Sequence, residues 1–196
     1  MNDFNKPFGV IVAGVGGQGA ITVAQLILGA CWRSGFYALQ SEIHGMSQRG
    51  GAVSANIVFD QVPVTSPVVT SGEANLLISM EPLEALRYLP LMAMDAKIIS
   101  ATVPVVNIDN YPELSSIFDN LKKITGVTIV DTDDCAKKLN YKHAGNMCLL
   151  GASSKFLPIS DEVWKRVIEE RFKSKGDQII EQNWSAFEFG KKLLEK

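Results

Sequence analysis

The stretch Phe8-Gly9-Val10-Ile11-Val12-Ala13-Gly14-Val15-Gly16-Gly17-Gln18-Gly19 decides the fold. Its first six residues form a continuous apolar run with Val and Ile, the mark of a strand covered on both faces. The next six match G-x-G-x-x-G, and a helical pattern follows from about Gly19 to Ser34. That helix is apolar nearly all round, through Ile21, Val23, Ala24, Leu26, Ile27, Leu28, Cys31 and Trp32, and Gly35 fits its C′ stop. With so little solvated face it must be buried by its own sheet and by a further element or chain. From Phe8 to Trp32 no side chain is charged, and these 25 residues are long enough for a bilayer. The glycine cluster would break such a span in its middle. The flank carries Asp3 and Lys6, and no small-residue cleavage site follows. The expectation is strand, glycine turn and helix in a cytoplasmic chain with no membrane segment.

Working outward, Tyr37–Gln40, Ala52–Phe59, Asn75–Ser79, Lys97–Val103 and Val127–Val130 read as further strands. Helical patterns lie at Leu83–Met92, Leu114–Ile124 and Asp134–Leu139. The last third is helical: His143–Phe156, a helix after an N-cap at Ser160 with Val163, Val167, Ile168 and Phe172 on one side, and Gln178–Lys196 after Gly176. In that last segment Ile180, Trp184, Phe187 and Leu194 recur at helical spacing. Alternating strands and helices predict an α/β fold. It is Rossmann-like, a mostly parallel sheet with helices on both faces and a helical C-terminal extension. Residues 1–196 read as one domain, with 158–196 as the helical tail. Val62–Ser71, rich in Pro and Thr, is expected to carry a crossover.

Composition narrows the functions. There are 19 basic against 21 acidic residues, net −2, so no basic excess holds a phosphate backbone and nucleic-acid binding is excluded. Hydrophobic residues at 46% supply a full core. Cys31, Cys135 and Cys148 are far apart and odd in number, with no C-x-x-C pair. That pattern excludes a disulfide framework, a zinc ribbon and a four-cysteine iron–sulfur cluster held by this chain alone, and no metal site is expected.

Three constellations remain. Gly14, Gly16, Gly17, Gln18 and Gly19, between a buried strand and a helix, suit a backbone cradle for a phosphate or carboxylate; a ligand-free tight turn is the other reading. A dinucleotide site needs an acidic residue after the second strand, and Glu42 stands 23 residues beyond Gly19. The second constellation is Ser41-Glu42-Ile43-His44-Gly45-Met46-Ser47-Gln48-Arg49-Gly50-Gly51, expected as a ligand-binding loop beside the first. Arg49 suits a carboxylate or phosphate, with the backbone of Gly50 and Gly51 helping, and His44 an acid/base or donor role. The third, His143-Ala144-Gly145-Asn146 leading into Met147–Ala152, reads as structural: Asn146 as a cap, Cys148 as core, and Gly151, Ala152 and Ser153 as a close-packing face. Cys135, beside Asp133 and Asp134, lacks an electropositive setting.

Taken in order, Gly14–Gly19, Gln40–Gly51 and Asn146-Met147-Cys148-Leu149-Leu150-Gly151-Ala152 resemble the gamma domain of 2-oxoacid:ferredoxin oxidoreductases. The Ser41–Gly51 loop is similar to that of the indolepyruvate type. The resemblance covers nearly the whole chain and is weaker after about Pro158. It implies oxidative decarboxylation of a 2-oxoacid with coenzyme A to acyl-CoA, carbon dioxide and reduced ferredoxin, on aryl pyruvates in the indolepyruvate type. Thiamine diphosphate, Mg and 4Fe–4S clusters would belong to a larger alpha subunit. This chain would complete the active site or coenzyme A site at the interface. On that reading Gly16, Gly17, Gln18 and Gly19 form the anion cradle; Ser47, Gln48 and Arg49 orient a carboxylate, a phosphate or the partner's loop; His44 is a proton-relay candidate. The nearest match to a thiamine-diphosphate motif is Gly176-Asp177-Gln178, in an expected surface turn. A stand-alone NAD(P)-binding oxidoreductase and a non-catalytic assembly module are the competing readings.

Overall fold

The structure, a computed structural model, describes residues 6–45 and 51–194. β1 (Phe8–Val15) is followed by the glycine turn, α1 (Ala20–Arg33), β2 (Tyr37–His44) and β3 (Ala52–Asp60). Then come β4 (Ala74–Ser79), α2 (Pro82–Arg87), β5 (Met92–Ala101), α3 (Leu114–Lys122), β6 (Val127–Val130) and α4 (Thr132–Lys138). The helices α5 (Ala144–Ser154), α6 (Asp161–Phe172) and α7 (Asp177–Lys192) close the chain. The sheet order is β2-β3-β1-β4-β5-β6.

β1, β4, β5 and β6 run parallel, and β3 lies antiparallel between β1 and β2. The reason is length. Only the seven residues from Gly45 to Gly51 join β2 to β3. A parallel neighbour needs a crossover of about a dozen residues or more. A hairpin is the connection this length allows, so β3 reverses. Val62–Ser71 carries the chain from β3 past β1 to β4 without forming an element.

Several elements differ from their sequence patterns. β2 does not stop at Gln40 but continues through Ser41, Glu42, Ile43 and His44, because each pairs with β3 from Asn56 to Val53. The Leu83–Met92 pattern is split: α2 ends at Arg87, and Pro90, which has no N–H for an α-helix to use, sits in a short 3₁₀ turn before β5 starts at Met92. α4 starts two residues early, because the Asp131 carboxylate accepts the Asp134 N–H at 2.9 Å. Ser160 stands at the N-cap of α6 without a side-chain bond to that helix's backbone.

Alternate strand residues feed two cores. Val10, Val12, Ile57, Phe59, Leu76, Ile78 and Ile99 pack under α1 and the C-terminal helices. Ile11, Ala13, Val58, Leu77 and Ile98 pack under α2 and α3. The C-terminal helices are part of the first core: Trp164, Val167, Ile168, Phe172 and Phe187 are all buried there. They supply the cover that the apolar α1 requires. α5 and α7 cross at two glycines. A Cβ on Gly151 would lie 1.9 Å from the Phe187 carbonyl oxygen, and one on Gly190 would lie 1.9 Å from that of Cys148. Among the described residues no helix is long and apolar enough to cross a membrane.

Candidate functional site

A cavity of about 260 Å³ opens at the carboxyl ends of β1, β4 and β5. There the chain leaves β1 in one direction and returns on its other side as β4, the place where open α/β sheets bind ligands. The glycine turn forms one wall. Gly17 and Gly19 have φ of +99° and +86°, backbone that glycine adopts freely. Gly14 lies close to its neighbours: a Cβ there would fall 3.1 Å from Met80 Cβ. Gly16 donates its N–H to Gly51 O at 2.9 Å, tying the glycine turn to the start of β3.

Gln18 braces the turn. Its Oε1 accepts the Val15 N–H at 2.8 Å, and its Nε2 donates to Met80 O at 2.8 Å. With its backbone N–H also donating to Val15 O, the residue fixes the cradle, and its carboxamide is already engaged on both sides.

The opposite wall is the segment read as purely structural from the sequence. Lys142, His143, Gly145 and Asn146 line the cavity, with Thr132 and Asp133 from the start of α4. Asn146 is not the cap of α5: His143 holds that position and Asn146 lies inside the first turn. Its carboxamide is turned to the glycine cradle, and a Cβ on Gly19 would meet Asn146 Nδ2 at 2.6 Å. Its Oδ1 is buried with no partner among the described residues. A Cβ on Gly145 would stand 3.0 Å from Thr132 Cβ, so that glycine lets α5 close on α4.

Two helices, α1 and α5, thus aim their N-termini into one cavity. Neither has a side-chain cap or an acidic residue in its first turn. Each carries about half a positive charge at that end, and Lys142 adds a full one beside them. Asp133 is the acidic counterpart on the rim. The arrangement suits an anion that also has hydrogen-bonding groups. The signal was present in the sequence: an uncapped helix start after the last parallel strand, with Lys142 and His143 just before it.

Glu42 and His44 lie elsewhere. They occupy the same face of edge strand β2, with His44 Nε2 3.0 Å from Glu42 Oε2 and Gln40 Nε2 donating to Glu42 Oε1 at 2.6 Å. β3 separates them from β1, so Glu42 does not stand beside the glycine turn, where a ribose would need it. Ser47, Gln48, Arg49 and Gly50 lie outside the described residues.

Three cysteines cannot by themselves ligate a four-cysteine cluster. All three cysteines are buried. Burial pushes the Cys31 thiol up to about 12; the bond that Cys148 donates to Cys135, then burial, pushes the Cys148 thiol up, and the same bond lowers Cys135. Among the described residues no three His, Cys, Asp or Glu gather. Gly176-Asp177-Gln178 opens α7, with Asp177 exposed.

A second polar cluster stands behind the cavity. Glu81, buried to 1%, accepts the Glu84 N–H at 2.8 Å, the Val105 N–H at 3.4 Å and the Tyr111 hydroxyl. It pins the segment after β5 to the end of β4. Burial, then the bond to Glu81, pushes the Tyr111 hydroxyl above its usual range. Burial likewise raises Glu84, against the pull of Arg87.

Comparison with known proteins agrees with this architecture. The sequence pattern of the pyruvate ferredoxin/flavodoxin oxidoreductase family matches residues 9–193. The chain belongs to that family. It is 33% identical over 190 residues to the indolepyruvate oxidoreductase subunit IorB of Archaeoglobus fulgidus, covering 92% of each chain. It is 28% identical to the 2-oxoglutarate synthase subunit KorC of Methanothermobacter marburgensis over 93% of this chain and 94% of that one. Its fold is similar to that of the 2-oxoglutarate:ferredoxin oxidoreductase of Magnetococcus marinus, whose structure holds 2-oxoglutarate, coenzyme A and succinyl-CoA. There the TM-score is 0.76 at 22% identity, over 97% of this chain and 31% of the other. The same fold, then, occurs both as a separate chain and as part of a longer one.

Proposed function

We propose that this chain is the small subunit of a cytoplasmic indolepyruvate:ferredoxin oxidoreductase. The assembled enzyme would convert an aryl pyruvate and coenzyme A to acyl-CoA, carbon dioxide and reduced ferredoxin. The observation that carries the reading is the end-to-end similarity to an indolepyruvate oxidoreductase subunit, stronger than that to a 2-oxoglutarate synthase subunit. The three cysteines, too few for a four-cysteine cluster, support a division of labour in which an alpha subunit holds thiamine diphosphate, Mg and the 4Fe–4S clusters. Those groups supply the carbanion and electron chemistry.

This chain's own contribution is binding and positioning. The first turns of α1 and α5, with Lys142, present N–H groups and positive charge to an anion such as a phosphate of coenzyme A. Gln18 keeps the glycine cradle in shape, and Asn146 Oδ1 accepts a hydrogen bond from the ligand. Ser47, Gln48 and Arg49, with Gly50, are assigned to orienting a carboxylate, a phosphate or the partner's loop. Glu42 holds His44 as a proton-relay group.

The test is co-purification with the alpha subunit, followed by viologen reduction on a panel of 2-oxoacids. Indolepyruvate and phenylpyruvate should turn over with coenzyme A, and Lys142→Ala should raise the KM for coenzyme A without changing that for the oxoacid. Turnover of 2-oxoglutarate alone would remove the indolepyruvate assignment. Absence of a complex, or saturable NADH binding by the isolated chain, would favour a stand-alone dehydrogenase instead.

A further inference from the structure

β2 closes one end of the sheet, and among the described residues no strand lies beyond it. Proteins ordinarily shorten, bulge, charge or cover such edges, because a row of free N–H and C=O groups is a template for another chain. β2 has eight residues, contains no proline, and pairs with β3 without a bulge. Along it Leu39 is 37% and Ile43 60% exposed.

The phase of its backbone is fixed by two bonds. Gly45 donates its N–H to Ala52 O, toward β3. Trp32 Nε1 donates to Ala38 O at 3.0 Å. Odd-numbered residues of β2 therefore turn their backbone groups to β3, and even-numbered ones turn theirs outward. Side chains alternate across the sheet: Leu39, Ser41 and Ile43 share the face of Val58, Asn56 and Ser54, while Gln40, Glu42 and His44 share the other.

We propose that β2 is where two copies of this chain meet, antiparallel and edge to edge, with the two Ser41 residues opposed across a twofold axis. The outward groups belong to even-numbered residues, so hydrogen-bonded pairs must join even to even. Three central registers satisfy this. Glu42 opposite Glu42 sets two carboxylates against each other. Gln40 opposite Gln40 sets Leu39 against Ser41 and makes the Ala38 carbonyl, already held by Trp32, an inner rung of the ladder. Gln40 opposite Glu42 avoids the first fault and moves the Ala38 carbonyl to the end of the ladder, opposite His44. An amide donor then faces a carboxylate in the two central hydrogen-bonded pairs. Leu39 of each copy faces Ile43 of the other in the closer, non-hydrogen-bonded pairs, at about 4.5 Å between Cα atoms. The contact covers both exposed apolar side chains and makes one sheet of twelve strands. It concerns the isolated chain and does not depend on the ligand or substrate proposed above.

The test is sedimentation of the purified chain, with cysteine crosslinking to read the register. Twice the mass of one chain is expected, and Ile43→Lys should give single chains with an unchanged far-UV spectrum. Ser41→Cys should crosslink under mild oxidation; Gln40→Cys and Glu42→Cys, placed singly, should not. The native cysteines are buried, so the unmodified chain is the blank. A monomer at every concentration, or Ile43→Lys leaving the mass unchanged, overturns the proposal. So does crosslinking of Gln40→Cys or Glu42→Cys in place of Ser41→Cys. If Ile43→Lys abolishes binding of the alpha subunit while leaving the isolated chain's mass alone, the edge belongs to that partner and the proposal also fails.

Discussion

Gly190→Ala is expected to be among the most damaging single-methyl changes in this chain. Inside an exposed helix the same substitution stabilises by roughly 0.5–1 kcal/mol, since alanine loses less backbone freedom. Here the new Cβ would lie 1.9 Å from Cys148 O, 2.6 Å from Cys148 C and 2.7 Å from Cys148 Cα, against an ordinary contact of 3.4 Å or more. All three atoms are helix backbone and have no rotamer to adopt. α7 must therefore withdraw from α5 by roughly 1.5 Å, a gap that forfeits a quarter to a half or more of each dispersion contact across it. Phe187 and Ala186 on α7, and Met147 and Cys148 on α5, are fully buried in the core this crossing holds. Overpacking and lost contacts together give a net cost of about 3 kcal/mol after the helix-propensity gain. For a chain of this size that lowers Tm by roughly 6–12 °C. Thermal unfolding followed by circular dichroism measures it. Gly29→Ala in α1 is the matched control: its Cβ would meet only Val167 Cγ1, at 3.8 Å. That variant should be neutral or more stable by up to about 1 kcal/mol. Equal Tm values for the two variants would refute the reasoning.

Gln18→Ala leaves the Val15 N–H and the Met80 carbonyl without their side-chain partners and should cost about 2 kcal/mol in urea unfolding; a cost under about 0.5 kcal/mol would show that the brace is replaced by water. Tyr111→Phe removes the hydroxyl that donates to buried Glu81 and should destabilise by about 1–3 kcal/mol, while an unchanged urea midpoint would remove Glu81 as the pin for the segment after β5. Glu84→Gln should be pH-dependent. Burial raises the Glu84 carboxyl above its ordinary value of 4.5, so the folded chain holds that proton more tightly than the unfolded one. Both forms are neutral well below 4.5; as pH rises the unfolded chain ionises first, and stability is lost through the folded pKa. The variant should therefore gain more in Tm at pH 7 than at pH 4, and the reverse order would contradict the burial effect.

Much of the fold was legible because its causes are local. The apolar run before Gly14, the glycine turn and the uncharged helix after it are consequences of residue types at fixed spacing. The C-terminal helices and the close-packing role of Gly151 were legible for the same reason. The reversal of β3 was not legible: with the second strand read as ending at Gln40, eleven residues precede Ala52, and strand patterning alone does not reveal direction. The end of β2 was not: Ser41-Glu42-Ile43-His44 is too polar to announce a strand, and pairing with β3 overrides its composition.

What only the tertiary structure decided is which distant segments meet. Gly19 and Asn146 are neighbours across the cavity although 127 positions separate them. Glu42, only 23 positions from Gly19, is held away because β3 takes the place beside β1. Gly190 matters through Cys148, on a helix whose own sequence shows no need of it. Periodicity and turn chemistry act over a few residues, so the chain's order determines its elements. The neighbours of each element are set by how crossovers are routed and how closely helices approach, and those come from packing the whole chain at once.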